Sequence, residues 1–181
     1  GSSLAILGRA FILSDGDRYL IALLYGLAAA WIFGSRITAT NYFFVPLALA
    51  IIALLIAAIS VEPFLYAALI IELAVLVSIP VLVQQENKIG IGIYRYLIFQ
   101  TLAVPFILIA GWGFEQAIVS ADAQRIYLFS AALLGFGFAL WLAVFPFYTW
   151  IPLLAESAHS FTAGFIFAVI PTTAQLLLVD F

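Results

Sequence analysis

One acidic residue, Glu72, lies near the middle of a long apolar stretch that covers residues 64–83. At about 1.5 Å of rise per residue, a helix over this stretch would place the carboxyl near the centre of a lipid bilayer. A charge at that depth costs at least about 2.5 kcal/mol, so the side chain must pair with a cation, face water or keep its proton. All three states suit a proton carrier, and we predict that Glu72 transfers protons. The structural alternative is a protonated Glu72 that is hydrogen-bonded to a neighbouring helix and does no chemistry.

Partners for Glu72 would come from the other apolar stretches. No basic side chain lies near the middle of any of them, so the candidates are uncharged. Gln100 and Thr101 lie in the next helix-length segment, which would pack beside the helix of Glu72. We predict that Gln100 and Thr101 are polar residues of a proton path. The other uncharged candidates are Ser78, Ser130 and Gln175.

A second titratable pair, Glu156 and His159, lies in a link between two apolar stretches. These residues would share one face if the link is helical, because they are three positions apart. Histidine exchanges protons near neutral pH, so the pair is a candidate for proton uptake at the membrane surface. The alternative is a solvated surface pair. Two side chains make a poor metal site, and we predict no metal here.

Residues 145–152, which read FPFYTWIP, combine four aromatic residues with two prolines. Proline lacks an N–H and clashes with the preceding helical turn, so Pro146 and Pro152 should end or break a membrane helix. Aromatic side chains favour the membrane–water interface, where this segment would hold the following link. The structural alternative is only a helix end with an aromatic belt.

The composition indicates the environment in which these residues work. Of 181 residues, 67% are apolar and only 8% are charged, whereas soluble domains average about 25% charged residues. Six basic residues and a net charge of −3 disfavour nucleic-acid binding, and we predict no nucleic-acid partner. The absence of cysteine excludes disulfides, cysteine metal sites and thiol catalysis. The lipid bilayer is therefore the expected surrounding medium.

Six long apolar stretches are separated by short polar links. Spanning the hydrocarbon core takes about 20 mainly apolar residues, and continuous runs of this kind indicate helices and not barrel strands. We predict an all-α, polytopic transmembrane helix bundle of about six spans, forming one transmembrane domain over residues 1–181. The predicted spans are residues 19–34, 42–59, 64–83, 94–112, 126–145 and 161–179.

The order of these features resembles the antiporter-like, proton-translocating membrane subunits of respiratory complex I. Related subunits occur in Mrp-type cation/proton antiporters and membrane-bound hydrogenases. The matching segments are the acid within residues 69–73, the basic–aromatic residues 95–97 and the aromatic–proline residues 145–152. Residues 156–158 (ESA) stand where the N-type subunit has EGA. The resemblance covers residues 15–181, or roughly helices three to eight of a longer subunit.

The resemblance implies that Glu72 is the buried glutamate of the family, which pairs there with a lysine on a later helix. The position of that lysine, four residues before the FPF motif, is Trp141 in this chain. Gly1 begins the sequence, no methionine occurs in it, and it ends directly after an apolar run, so we expect part of a longer chain.

The implied function is that of a membrane-arm subunit of an NADH:quinone oxidoreductase in the bacterial inner membrane. Its partners would be the other membrane subunits of the complex, and we expect no cofactor and no redox chemistry in this chain. Two alternatives stay open. One is a subunit of an Mrp-type antiporter or membrane-bound hydrogenase. The other is a non-pumping scaffold paralogue, which the missing lysine favours.

Overall fold

The computed structural model describes residues 2–6, 9–13, 17–38, 40, 42–63, 65–83, 90–119 and 122–180. Seven α-helices and three short strands form within this part of the chain. The helices are α1 (Asp17–Gly34), α2 (Phe44–Ser60), α3 (Leu65–Leu82), α4 (Ile91–Val119), α5 (Ala123–Trp141), α6 (Trp150–Ser157) and α7 (Ser160–Asp180). The strands are β1 (Ser2–Ile6), β2 (Arg9–Leu13) and β3 (Val61–Glu62).

One long helix overlaps each predicted span, although several boundaries differ. The predicted third span begins at Phe64, which lies outside the described residues. The fourth span was predicted to end at Trp112, but α4 continues to Val119. Its last turns contain Glu115 and Gln116, which are exposed on the helix surface and therefore do not need to leave the helix to reach a polar environment. Glu115 and Gln116 therefore belong to the last turns of α4 and not to a separate link.

Four helices are long and apolar enough to cross a membrane, namely α3, α4, α5 and α7. The other two long helices, α1 and α2, are apolar but shorter. Large apolar side chains cover the outside of the bundle, with Ile98 60%, Ile109 50% and Phe129 64% exposed. Such a continuous apolar exterior is suited to lipid and not to water. The chain is an all-α membrane protein in its main architecture.

Helix α7 lies centrally and contacts α1, α2, α3, α5 and α6. Helix α4 packs along α5 and also contacts α3 and α6. Small residues permit these close approaches. A Cβ atom on Gly92 would collide with the backbone of Leu153 in α6, and one on Gly113 would collide with the Ser130 hydroxyl in α5. Glycine is therefore required where α4 meets α6.

Helix α5 ends at Trp141, four residues before the predicted end of the fifth span. Ala143 has a φ of 52°, a left-handed conformation that cannot continue a right-handed helix. Pro146 also disfavours helical geometry in the residue before it. A 3-10 turn at Phe147–Thr149 then leads into α6, whose first turn accepts Pro152 because no intrahelical N–H is needed there. The aromatic–proline segment therefore separates two helices.

A small antiparallel sheet with the strand order β1-β2-β3 was not predicted from the sequence. Strand β3 follows α2 and pairs with β2, with Phe11 opposite Val61 and Ala10 opposite Glu62. Two five-residue strands separated by only Leu7 and Gly8 form the β1–β2 pair. The two residues between them are not one of the Asn-Gly, Asp-Gly or Gly-Gly pairs that signal a hairpin, so the local sequence did not indicate this pairing.

Candidate functional site

Glu72 lies near the middle of α3 and faces α4. Its Oε1 atom accepts a 2.7 Å hydrogen bond from the Thr101 hydroxyl of α4. Its Oε2 atom is buried and has no hydrogen-bond partner within the described part of the chain. One carboxyl oxygen is thus held in place, and the second remains available for a proton or a cation.

The carboxyl of Glu72 lies in a groove between α3 and α4 on the outside of the bundle. Apolar side chains form most of its walls, and several are exposed, including Leu76 at 47% and Leu102 at 45%. The residues that line the groove are Glu72, Leu76, Leu97, Ile98, Thr101, Leu102 and Pro105. A carboxyl in such surroundings has few polar contacts, so a single bound ion or proton changes its interactions strongly.

Gln100 points away from Glu72 and connects α4 to α5. The Trp141 indole donates to the Gln100 backbone carbonyl at 3.2 Å, and the Gln100 amide donates to the Trp141 backbone carbonyl at 3.4 Å. Both side chains are buried, at 0% exposure for Gln100 and 1% for Trp141. Trp141 therefore joins α5 to α4 through two hydrogen bonds.

Ser78, another candidate partner of Glu72, is instead bonded to Tyr96. Its hydroxyl donates to the Val75 carbonyl at 2.6 Å, so the Tyr96 hydroxyl donates to Ser78 across 3.1 Å. The Tyr96 ring also contacts the Trp150 ring at a centroid distance of 5.3 Å. Tyr96 lies within electrostatic reach of the Glu72 carboxylate, although no hydrogen bond joins them among the described residues.

Sequence analysis missed Tyr96 and Trp150 as parts of the polar interior. The Trp150 indole N–H and the Gln100 Oε1 atom are both buried without a hydrogen-bond partner in the described part of the chain. Aromatic residues with a polar atom are common at membrane interfaces, so the sequence favoured an interfacial position for both. Tyr96 lies five residues beyond the start of α4, and that depth was the available signal.

Glu156 and His159 lie far from this groove along the chain and do not share a helical face. Helix α6 ends at Ser157, and Ala158 is extended, which turns His159 away from the α6 axis. Glu156 is exposed, whereas the His159 Nδ1 atom accepts a 3.3 Å bond from the Phe161 backbone N–H at the start of α7. No hydrogen bond links Glu156 to His159 among the described residues.

The polar side chains within the described ranges form no group of three or more His, Asp or Glu residues that could hold a metal ion. The site therefore consists of one carboxyl, one hydroxyl and the groove around them. Comparison with known proteins finds no family model, no curated protein and no solved structure that matches this chain.

Proposed function

We propose that this chain is a membrane-arm subunit of a complex I type NADH:quinone oxidoreductase and that Glu72 carries protons in it. One observation carries the proposal: a carboxyl at mid-depth in an apolar helix has one oxygen bonded to Thr101 and the other without a partner in the described structure. Intramembrane acids are costly and are usually retained for function. The sequence resemblance supplies the type of complex.

The local geometry suits reversible protonation. The Thr101 hydroxyl donates to Oε1 when Glu72 is ionised, which partly compensates for the loss of water around the charge. When Glu72 is neutral, Oε2 holds the proton while the same hydrogen bond to Oε1 persists. Glu72 therefore changes charge without a rearrangement of α3 or α4, and neighbouring charges in the complex set the direction of transfer.

The proposal includes six membrane crossings in the bacterial inner membrane. Helices α1 and α2 have 18 and 17 residues, close to the lower limit of about 17 residues for a membrane span. Both pack against the central helix α7. A short helix is accommodated by local thinning of the bilayer or by polar flanking residues that reach the interface.

The test is proton pumping by the parent complex, reconstituted in liposomes, with Glu72→Gln in this chain. Glutamine keeps the size of the side chain but neither takes up nor releases a proton at physiological pH. We therefore expect fewer protons to be translocated per electron transferred. The matched control is Glu115→Gln, because Glu115 is exposed at the end of α4. Unchanged pumping by Glu72→Gln would contradict the proposed role.

A scaffold subunit without a proton path is the second candidate, and one observation favours it. Trp141 stands where the resemblance implies a lysine, and it bonds to Gln100, so this position of α5 supplies no basic side chain to Glu72. In this case, the infrared carboxyl band of Glu72 should stay constant during turnover. A band that changes and is lost in Glu72→Gln favours the proton carrier.

A subunit of an Mrp-type antiporter or a membrane-bound hydrogenase is distinguished by its partners. Co-purifying subunits that contain flavin and iron–sulfur clusters and oxidise NADH with quinone favour the complex I type. Purification with cation/proton antiporter subunits that lack such centres favours the Mrp type.

A further inference from the structure

A second groove lies between the last turns of α4 and the first turns of α5, and we call it the α4–α5 groove. Its α4 residues recur at positions i, i+3, i+4 and i+7 and so share one helix face: Ile109, Trp112, Gly113 and Gln116. Five lining residues within residues 122–130 repeat this spacing on the α5 side. The cavity has a volume of about 590 Å³. This volume lies within the range of about 300–1,000 Å³ that is typical of ligand sites.

Two small residues lie between the larger side chains of the α4–α5 groove. Ser130 is 1% exposed, and a Cβ atom on Gly113 would collide with its hydroxyl. Both residues line the cavity, so neither helix fills the space between them with a large side chain. The groove therefore follows from glycine and serine at the point of closest approach.

Polar and apolar residues lie at different ends of this groove. Gln116, Asp122 and Arg125 lie at the end where α4 and α5 are joined. Ile109 lies about 10 Å further along α4, at 1.5 Å of rise per residue. Ile109 and Phe129 are 50% and 64% exposed, respectively. A groove that is polar near the helix ends and apolar towards the helix middles matches a phospholipid, whose headgroup lies at the membrane surface above the hydrocarbon core.

The two charged residues at the polar end have opposite signs. Arg125 forms no side-chain ion pair or hydrogen bond within the described part of the chain, and a guanidinium binds phosphate through two parallel hydrogen bonds. The Asp122 carboxylate has lone pairs for more than one donor. Asp122 and Arg125 also line an adjoining cavity together, so both charges border the same space. One cation and one anion complement a zwitterionic headgroup, whereas Asp122 repels a headgroup with net negative charge.

We propose that the α4–α5 groove binds one molecule of phosphatidylethanolamine. Arg125 binds the phosphate, Asp122 accepts a hydrogen bond from the ammonium group, and an acyl chain lies against Ile109 and Phe129. The indole of Trp112, which is 60% exposed, lies between the two ends at the depth that tryptophan favours in membranes. This site is separate from Glu72, so it stands or falls independently of the proposed proton role.

The test is photo-crosslinking of the full-length protein, with any subunits that co-purify with it, in liposomes. The probe is a phosphatidylethanolamine with a diazirine in one acyl chain. Light releases N₂ and leaves a carbene that inserts into a nearby C–H bond, and mass spectrometry then locates the modified peptide. We expect crosslinks in the peptides that contain Ile109 and Phe129. Unlabelled phosphatidylethanolamine should compete at a lower mole fraction than phosphatidylcholine, which has no ammonium N–H, or phosphatidylglycerol, which is anionic.

Substitutions of the two charged residues separate their roles. Arg125→Gln should lower the crosslink yield at a low probe fraction about threefold, the change expected when an exposed pair of opposite charges is lost. Arg125→Lys keeps the charge and should retain most of the yield. Asp122→Asn should remove the preference for phosphatidylethanolamine over the other two lipids. The matched controls are Arg36→Gln and Glu115→Gln, because both residues are exposed and neither lines the groove.

Three results would overturn the proposal. Equal competition by all three lipids, together with an unchanged yield in Arg125→Gln, would mean that only bulk lipid contacts the groove. Stronger competition by phosphatidylglycerol would overturn the pairing of Asp122 with an ammonium group. Crosslinks that occur elsewhere in the protein but not in α4 or α5 would mean that a partner subunit, and not a lipid, covers the groove.

Discussion

Gln100 and Thr101 are neighbours in the chain, but their side chains bond to two different helices. Successive residues of an α-helix point about 100° apart, so Thr101 reaches Glu72 on α3 while Gln100 reaches Trp141 on α5. The sequence indicated both as polar residues of the fourth span. The sequence did not show which of the two faces Glu72. The fourth span is apolar on all sides, so no amphipathic pattern defines how its helix is rotated about its axis.

At Trp141, we predict that truncation lowers stability strongly. Trp141 is 1% exposed and joins α5 to α4, so Trp141→Ala should cost about 3–5 kcal/mol through the cavity and the lost hydrogen bond. Trp112→Ala is the control, because Trp112 is 60% exposed on α4 and should change stability by about 0.5 kcal/mol or less. Thermal unfolding in nanodiscs measures both variants, and equal shifts would contradict the assignment.

At the scale of the elements, the sequence predicted where helices occur more reliably than where they end. Apolar length located all the long helices, because the bilayer imposes that length directly. The end of α5 was missed by four residues, because it depends on the left-handed residue Ala143, a conformation that nothing in the identity of an alanine indicates. The β2–β3 pairing was missed because it depends on two segments that are far apart in the chain.

The end of α5 predicts that glycine substitution has opposite effects on stability at two alanines. Ala143 has a φ of 52°, so Ala143→Gly removes the Cβ conflict and should stabilise the protein by up to about 1 kcal/mol. Ala139 lies within α5, where Ala139→Gly should destabilise by about 1 kcal/mol. Thermal unfolding compares the two. A loss of stability in both variants would mean that Ala143 is held by its side-chain packing.

A second substitution at Ala143 tests the same geometry with a larger side chain. Ala143→Val adds a β-branched side chain at a positive φ, where such residues are strongly disfavoured, so it should destabilise more than the glycine variant. A valine variant as stable as the parent would show that the segment adopts another conformation.

At the scale of the whole molecule, composition alone indicated the bilayer, and the apolar exterior of the bundle agrees with it. The number of crossings is a finer property. Four helices have the length that a membrane span requires. Helices α1 and α2 are shorter, so their length alone does not determine whether they cross the membrane. The chain offers a direct route to this question because it contains no cysteine.

Single cysteines in the links should report which side each link faces. If α2 crosses the membrane, Ile37→Cys before it and Glu62→Cys after it should react with an impermeant maleimide from opposite sides of sealed vesicles. Both positions are exposed. Ile118→Cys, near the end of α4, should react from the same side as Glu62→Cys, because α3 and α4 lie between them. Labelling of Ile37→Cys and Glu62→Cys from the same side would mean that α2 does not cross the membrane, and the protein would then have fewer than the six proposed crossings.

The pairing of β2 with β3 also constrains the parity of the membrane crossings. Strand β2 precedes α1 and strand β3 follows α2, yet the two are hydrogen-bonded neighbours and must lie on one side of the membrane. Between them the chain therefore crosses the bilayer an even number of times, so α1 and α2 either both cross or both remain on that side. Loss of either helix alone would place the two strands in different compartments, which makes the helix pair and its sheet a single unit of insertion.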